Sequence, residues 1–282
     1  MKAIVKLVKN LNKLYSDISW KVKVSIALMV VVCFIDYYFC KFISIVLNRV
    51  FVPEISLILC LVCVFFSFAI FFVLAYGTMV LMTRLVRKEK ASIGYLFLGF
   101  NTSRATGPVW GFSGLLSICF AAASLPVFYF VDFSKEKYIF DFLKNAELMS
   151  KITFFSIAFF VISFIAIFFR YAFVWNIVYD DENMTKLKPF IKSWKMFKGN
   201  VFQFFMFEFV LCIKYLVIAF MIEALKFLQT KVTPSYTDTY FNLLFNIAGF
   251  LTVFAMFTKV AVSIPFLYER YRQHENHSKE EQ

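Results

Sequence analysis

Long apolar segments separated by shorter polar connections recur along the whole chain. Six of these segments are long enough to cross a membrane, because a spanning helix needs roughly 20 apolar residues. We predict spans at about 24–47, 55–82, 109–130, 152–178, 201–225 and 241–268. The predicted fold class is therefore an all-α membrane protein with six transmembrane helices, and this even number places both termini on the same side.

Three shorter segments have apolar residues at helical spacing and precede a pair of spans. The first covers residues 1–23, where lysines occupy mostly the opposite face, and it predicts a basic amphipathic N-terminal helix on the inner membrane surface. The second begins at Ile93 and the third at Leu187. Aromatic and basic side chains of the third segment are candidate contacts to lipid headgroups, namely Lys188, Lys192, Trp194 and Lys195.

An amphipathic segment followed by two spans, three times over, suggests three parallel repeats of a helix and a hairpin. The alternative is that any six-span chain with basic inner loops looks threefold by chance. Both interpretations give the same number of spans. The repeat is therefore a hypothesis about origin and symmetry rather than about topology.

Composition excludes several classes of protein. Apolar residues make up 61% of the 282 residues and charged residues 17%, against about 45–50% and about 25% in soluble domains. This excludes a soluble enzyme or a DNA-binding domain as the whole chain, and it also excludes disorder and a disulfide scaffold. The net charge of +12 would favour nucleic acid in a soluble protein.

The positions of the basic residues offer an explanation of the net positive charge that does not involve nucleic acid. Twenty of the 30 lysines and arginines lie in the N-terminal arm, the second and fourth connections and the tail at 269–282, against eight in the other connections. Basic residues collect in cytoplasmic loops, so the N-terminus and the C-terminus are predicted to be cytoplasmic. We therefore expect anionic lipid headgroups, and no nucleic acid, as partners of this charge.

Two segments carry a pattern known from other proteins. One is residues 93–101 (IGYLFLGFN), and the other extends from Arg170 and Tyr171 through Asp180 to residues 193–200 (SWKMFKGN). They resemble the L-F-x-G-F-K and R-Y…D-N-P…S-x-x-L-M-x-G-N motifs of a family of bacterial polytopic integral membrane proteins of unknown function. The resemblance implies a multi-pass protein of the bacterial cytoplasmic (inner) membrane and leaves the activity open.

Charged residues inside the predicted spans are the candidate functional residues, because burying an unpaired charge there costs several kcal/mol. The candidate polar site comprises Asp36, Glu208, Lys259 and Arg170. Glu208 could pair with either Lys259 or Arg170. Such residues form either a binding site for an ion or substrate, or fixed contacts between helices and charges that extend towards the interface.

The sequence contains no zinc-protease, P-loop, nucleophile-elbow or dinucleotide-binding motif. We therefore expect no enzyme, no catalytic residue, no cofactor and no metal. The function predicted is a non-enzymatic scaffold or accessory subunit of a membrane complex, with the bilayer and a protein partner or a second copy as its contacts. The alternative is a small-molecule or ion transporter or permease-like protein that uses Asp36, Glu208 and Lys259.

Overall fold

The computed structural model describes residues 2–51, 53–133, 146–181, 184, 187–198, 200–232 and 238–280. Within these ranges the chain is helical, without a strand. The α-helices are α1 Lys2–Val50, α2 Pro53–Val86, α3 Leu98–Asn101, α4 Thr106–Phe133, α5 Ala146–Tyr171, α6 Val174–Asp180, α7 Lys188–Phe197, α8 Val201–Val232 and α9 Asp238–Glu280. Two short 3-10 helices, Ile93–Phe97 and Ser103–Ala105, flank α3. Within the stretch of the second sequence motif, residues 182, 183, 185, 186 and 199 lie outside the described residues.

Six helices, α1, α2, α4, α5, α8 and α9, are long and apolar enough to cross a membrane. This confirms the predicted fold class, an all-α membrane protein with six candidate transmembrane helices. In the apolar 18-residue stretch of each of these helices, most residues are not buried in the protein. In the stretch of α5, no residue is buried. Such surfaces are expected of helices surrounded by lipid, which is as apolar as the side chains.

The N-terminal amphipathic segment and the first span form one continuous helix of 49 residues. Within residues 1–23, two side chains are covered by protein, since Leu11 is 1% exposed and Val22 is fully buried, whereas Val5 is 53% exposed. The lysines of this segment, such as Lys9 and Lys13, are exposed. The predicted contact of this segment with the inner membrane surface stays a prediction.

The fourth apolar segment is divided in the structure. Helix α5 ends at Tyr171, and the separate helix α6 begins at Val174. The side chains from Ala172 to Val178 are all buried in the protein. Hydropathy extended the predicted span to residue 178 because a buried protein core is as apolar as a membrane span. At the other end of the chain, α9 continues through most of the predicted tail to Glu280.

The chain divides into two compact units. The terminal unit comprises Met1–Leu28, Thr78–Leu96 and Met196–Gln282, and the central unit comprises Met29–Gly77 and Phe97–Lys195. In the terminal unit, α8 and α9 form an antiparallel hairpin in which Lys226 Nζ donates to Asn246 Oδ1 at 3.2 Å. The buried residues Phe204, Phe207 and Leu211 of α8 recur at helical spacing, so one face of this helix is covered.

In the central unit, α1 and α2 are joined by polar contacts between helices. Cys40 Sγ lies 2.9 Å from Ser67 Oγ, and Cys60 Sγ donates to Ser44 Oγ at 3.5 Å. An aromatic cluster surrounds Phe112 of α4, whose ring contacts four others: Phe72, Tyr171, Trp175 and Phe190. Because Phe190 belongs to α7, this cluster attaches α7 to the spanning helices of the same unit.

Candidate functional site

Glu208 is the most deeply buried charged residue among the candidates. It lies on the covered face of α8 between Phe204 and Leu211 and is 5% exposed. The Ser263 hydroxyl of α9 donates to Glu208 Oε1, and it also lies 2.7 Å from the Val260 carbonyl oxygen. Glu208 Oε2 is buried without a hydrogen-bond partner in the described part of the chain. The carboxyl group is therefore fixed through one oxygen only.

Lys259 lies one turn before Ser263 on α9 and makes a different contact. Its Nζ donates to Asn12 Oδ1 of α1 at 2.5 Å. Beside it, the Tyr15 hydroxyl lies 2.9 Å from Thr258 Oγ1. These contacts join the N-terminal part of α1 to α9. Of the two partners that the sequence allowed for Glu208, Lys259 does not contact it in the described part of the chain, where Ser263 faces Glu208 instead.

Asp36 and Arg170 belong to the central unit, whereas Glu208 and Lys259 belong to the terminal unit. Asp36 is half-buried on α1, between the exposed residues Ile35 and Tyr37. Glu208 and Lys259 thus lie on the same hairpin, but each makes its own contact with a neighbouring helix. Glu208 contacts Ser263 of α9, and Lys259 contacts Asn12 of α1.

Arg170 is an exposed residue at the end of α5, and its guanidinium lies over the ring of Trp194 in α7. The Ser193 hydroxyl also donates to the Arg170 carbonyl oxygen at 3.4 Å. An arginine stacked on tryptophan contributes about 0.5–1 kcal/mol at an exposed site. Arg170 therefore helps to hold α7, which corresponds to the fixed contact between helices expected from the sequence as one alternative.

The four candidate lipid contacts all lie on α7. Lys188 and Lys195 are exposed, Lys192 is half-buried, and Trp194 is 42% exposed. Beside Trp194, Leu187 and Ile191 form an exposed apolar surface. The opposite face of α7 is buried through Ser193 and Phe197. The helix thus has a protein-facing side and a second apolar side flanked by lysines.

Sequence reasoning missed an ion pair between the end of α2 and α9. Arg87 donates to Glu269 Oε1 through Nε at 2.8 Å and Nη2 at 2.5 Å, and Arg272 Nη2 lies 3.1 Å from Glu269 Oε2. The side chains of Arg87 and Glu269 are only 16% and 13% exposed. Their separation in the sequence is 182 residues, so no local pattern could have revealed the pair.

A cleft of about 460 Å³ adjoins this ion pair in the terminal unit. Its lining combines apolar and charged side chains: Leu14, Val86, Arg87, Phe266, Glu269, Arg270 and Gln273. Among the described residues, no three His, Cys, Asp or Glu side chains come together in a way that could hold a metal ion. No family model matches the chain, and no curated protein or solved structure matches it either.

Proposed function

We propose that this chain is a non-enzymatic scaffold or accessory subunit of a complex in the bacterial cytoplasmic membrane. The observation that carries the proposal is that polar residues of the terminal unit are used in contacts between helices. Glu208 is bound by Ser263, and Lys259 is bound by Asn12. Polar side chains used in this way hold helices together.

The apolar surfaces of the spans support the same proposal. Large side chains remain exposed on several helices, for example Phe155 at 69%, Phe202 at 72% and Phe220 at 76%. A scaffold offers such surfaces to lipid and to the helices of a partner or a second copy. The basic residues outside the spans orient both termini towards the cytoplasm, where Lys188, Lys192, Trp194 and Lys195 would contact anionic headgroups.

The test is affinity isolation of the full-length chain in mild detergent, followed by identification of co-purifying proteins and lipids. The scaffold proposal predicts a membrane protein partner, or a second copy, in a fixed ratio to the chain. Isolation of the chain alone with a bound small molecule would exclude the proposal.

A transporter is the second candidate, and one observation favours it. Glu208 Oε2 is buried and has no partner within the described residues, and a buried acceptor without a donor is costly. In a transporter this oxygen would bind a cation or a substrate donor. Uptake by proteoliposomes, compared between the wild type and Glu208→Gln, separates this candidate from the scaffold.

A further inference from the structure

The cleft beside the ion pair at the end of α2 combines an apolar wall with polar groups. Its wall is formed by Leu14, Val86 and Phe266, and its polar lining includes Arg270 and Gln273. The volume of about 460 Å³ falls in the range of ligand sites, roughly 300–1,000 Å³, which also join apolar walls to a few polar groups. The cleft is therefore large enough for a small molecule or for part of a lipid.

The charged groups that line the cleft leave an excess of positive charge. Arg87 and Glu269 neutralise each other, since Arg87 donates to Glu269 Oε1 through two nitrogens. Arg270 is exposed, and its guanidinium lies 5.8 Å from the centroid of the Phe266 ring. Among the described residues, Arg270 has no ion-pair or hydrogen-bond partner. It therefore presents a cation to the cleft that an anion could neutralise.

Gln273 extends the polar side of the cleft. It is exposed and lies three residues after Arg270 on α9, so the two side chains share one face of the helix. The guanidinium of an arginine presents its donors in a fork that matches two oxygens of a phosphate or carboxylate. The amide of Gln273 has two further N–H donors. Together the two side chains can donate to one oxyanion.

The cleft lies at the ends of two candidate spans. Val86 is the last residue of the span in α2, and Gln273 is the last residue of the span in α9. These spans contain 29 and 31 residues, so they are roughly 44 and 47 Å long and exceed a hydrocarbon core of about 30 Å. Charged residues collect at this end of both, at Arg84 and at 269–272. Because charges are costly in the core, this end lies at the depth of the lipid headgroups.

We propose that the cleft binds the phosphate of an anionic phospholipid. Arg270 and Gln273 donate to the two unbridged oxygens of the phosphodiester, and Leu14 and Val86 contact the adjoining acyl chain. Soluble phosphate compounds share the oxyanion chemistry, but the apolar wall and the depth of the cleft favour the lipid. The candidate lipid contacts of α7 belong to the central unit, so this site in the terminal unit is an additional one.

The cleft brings together three helices, since Leu14 belongs to α1, Val86 to α2 and Arg270 to α9. A lipid bound there would stabilise the folded protein, because a ligand that binds only the folded state raises its stability. The inference is independent of the scaffold role, because a lipid site in this unit is compatible with either proposed function. Its failure would leave the isolation of a partner protein unaffected.

The experiment measures thermal unfolding of the full-length, delipidated protein in a neutral detergent. Short-chain phosphatidylglycerol, short-chain phosphatidylcholine and inorganic phosphate are titrated separately. The variants are Arg270→Gln, which removes the cation, and Leu14→Trp, which fills the cleft. Lys90→Gln is the matched control, because Lys90 is an exposed basic residue of the same unit that does not line the cleft.

Phosphatidylglycerol should raise the unfolding temperature of the wild type and of Lys90→Gln. Its apparent dissociation constant should increase about tenfold or more in Arg270→Gln, as expected for the loss of charge-assisted hydrogen bonds, and it should also increase in Leu14→Trp. Phosphatidylcholine should bind the wild type more weakly, since its choline group offsets the charge of the phosphate. Without lipid, Arg270→Gln should unfold close to the temperature of the wild type.

Equal dissociation constants of phosphatidylglycerol for the wild type and Arg270→Gln would overturn the site, and so would an absence of any shift in the wild type. An equal loss of affinity in Lys90→Gln would overturn it too, because net charge rather than the cleft would then attract the lipid. A shift with inorganic phosphate that Arg270→Gln abolishes, and none with phosphatidylglycerol, would overturn the lipid as the ligand. The comparison of Arg270→Gln with Lys90→Gln decides the question even if Leu14→Trp fails to fold.

Discussion

The hydroxyl of Ser263 donates to the carboxylate of Glu208 where α8 and α9 face each other. Both residues are buried, Ser263 fully and Glu208 to 5% exposure. The second carboxylate oxygen has no partner among the described residues. The hydroxyl hydrogen of Ser263 is therefore the one donor to this buried carboxyl group among the described residues. A second acceptor competes for the same hydrogen, because the Val260 carbonyl oxygen lies 2.7 Å from Ser263 Oγ.

Replacing Ser263 by alanine should destabilise the protein more than replacing Glu208 by glutamine. Ser263→Ala leaves a buried carboxyl group without a donor, at a cost of about 1–3 kcal/mol. In Glu208→Gln, the amide can donate to Ser263 Oγ while Ser263 donates to the Val260 carbonyl oxygen, so this variant should match or exceed the stability of the wild type. Thermal unfolding in detergent measures both, and a large loss of stability in Glu208→Gln alone would contradict the structure.

Gly99 and Gly249 should respond in opposite ways to alanine. A Cβ at Gly99 would lie 2.5 Å from the Val73 carbonyl oxygen, whereas a Cβ at Gly249 meets no atom within 4 Å. Gly99→Ala should therefore cost about 1–3 kcal/mol through overpacking. Gly249→Ala should be neutral or stabilising, by roughly 0.5–1 kcal/mol, because alanine favours helix. The unfolding midpoints of the two alanine variants are compared with that of the wild type. Equal effects at the two positions would disprove the close approach of α3 to α2.

Arg87 should contribute more to stability than Arg272, although both contact Glu269. The Arg87 side chain is 16% exposed and donates through two nitrogens, whereas that of Arg272 is 43% exposed. Arg87→Gln should cost about 1.5–3 kcal/mol, the range for hydrogen bonds to charged groups. Arg272→Gln should cost about 1 kcal/mol or less, as surface ion pairs do.

The same unfolding assay measures both arginine variants, and Glu269→Gln provides the common reference. If the two arginine substitutions were equally costly, the Arg87–Glu269 contact would not be the principal link between the end of α2 and α9.

The spans could be predicted from the sequence because hydropathy is a local property. A run of about 20 apolar residues predicts a spanning helix whatever it packs against. The same property failed at Ala172–Val178, where apolar residues form protein core after α5 has ended. Hydropathy measures how apolar a segment is, and a protein interior and a bilayer do not differ in that respect.

The partners of the polar residues could not be predicted, because they depend on how neighbouring helices are aligned along their length. Lys259 and Ser263 are one turn apart on the same face of α9. A shift of one turn would have placed Lys259 opposite Glu208 instead of Ser263. The contact of Lys259 with Asn12 spans 247 residues of sequence, so it depends on the packing of α1 against α9 and has no local signal.

We propose a scaffold in which the buried polar residues hold helices together. Its most direct test is quantitative affinity isolation of the wild type and Glu208→Gln from native membranes in mild detergent, with lipid and protein identification. We predict a partner membrane protein, or a second copy, in the same fixed ratio for both. Recovery of no partner, but of a small molecule bound to the wild type and absent from Glu208→Gln, would contradict it.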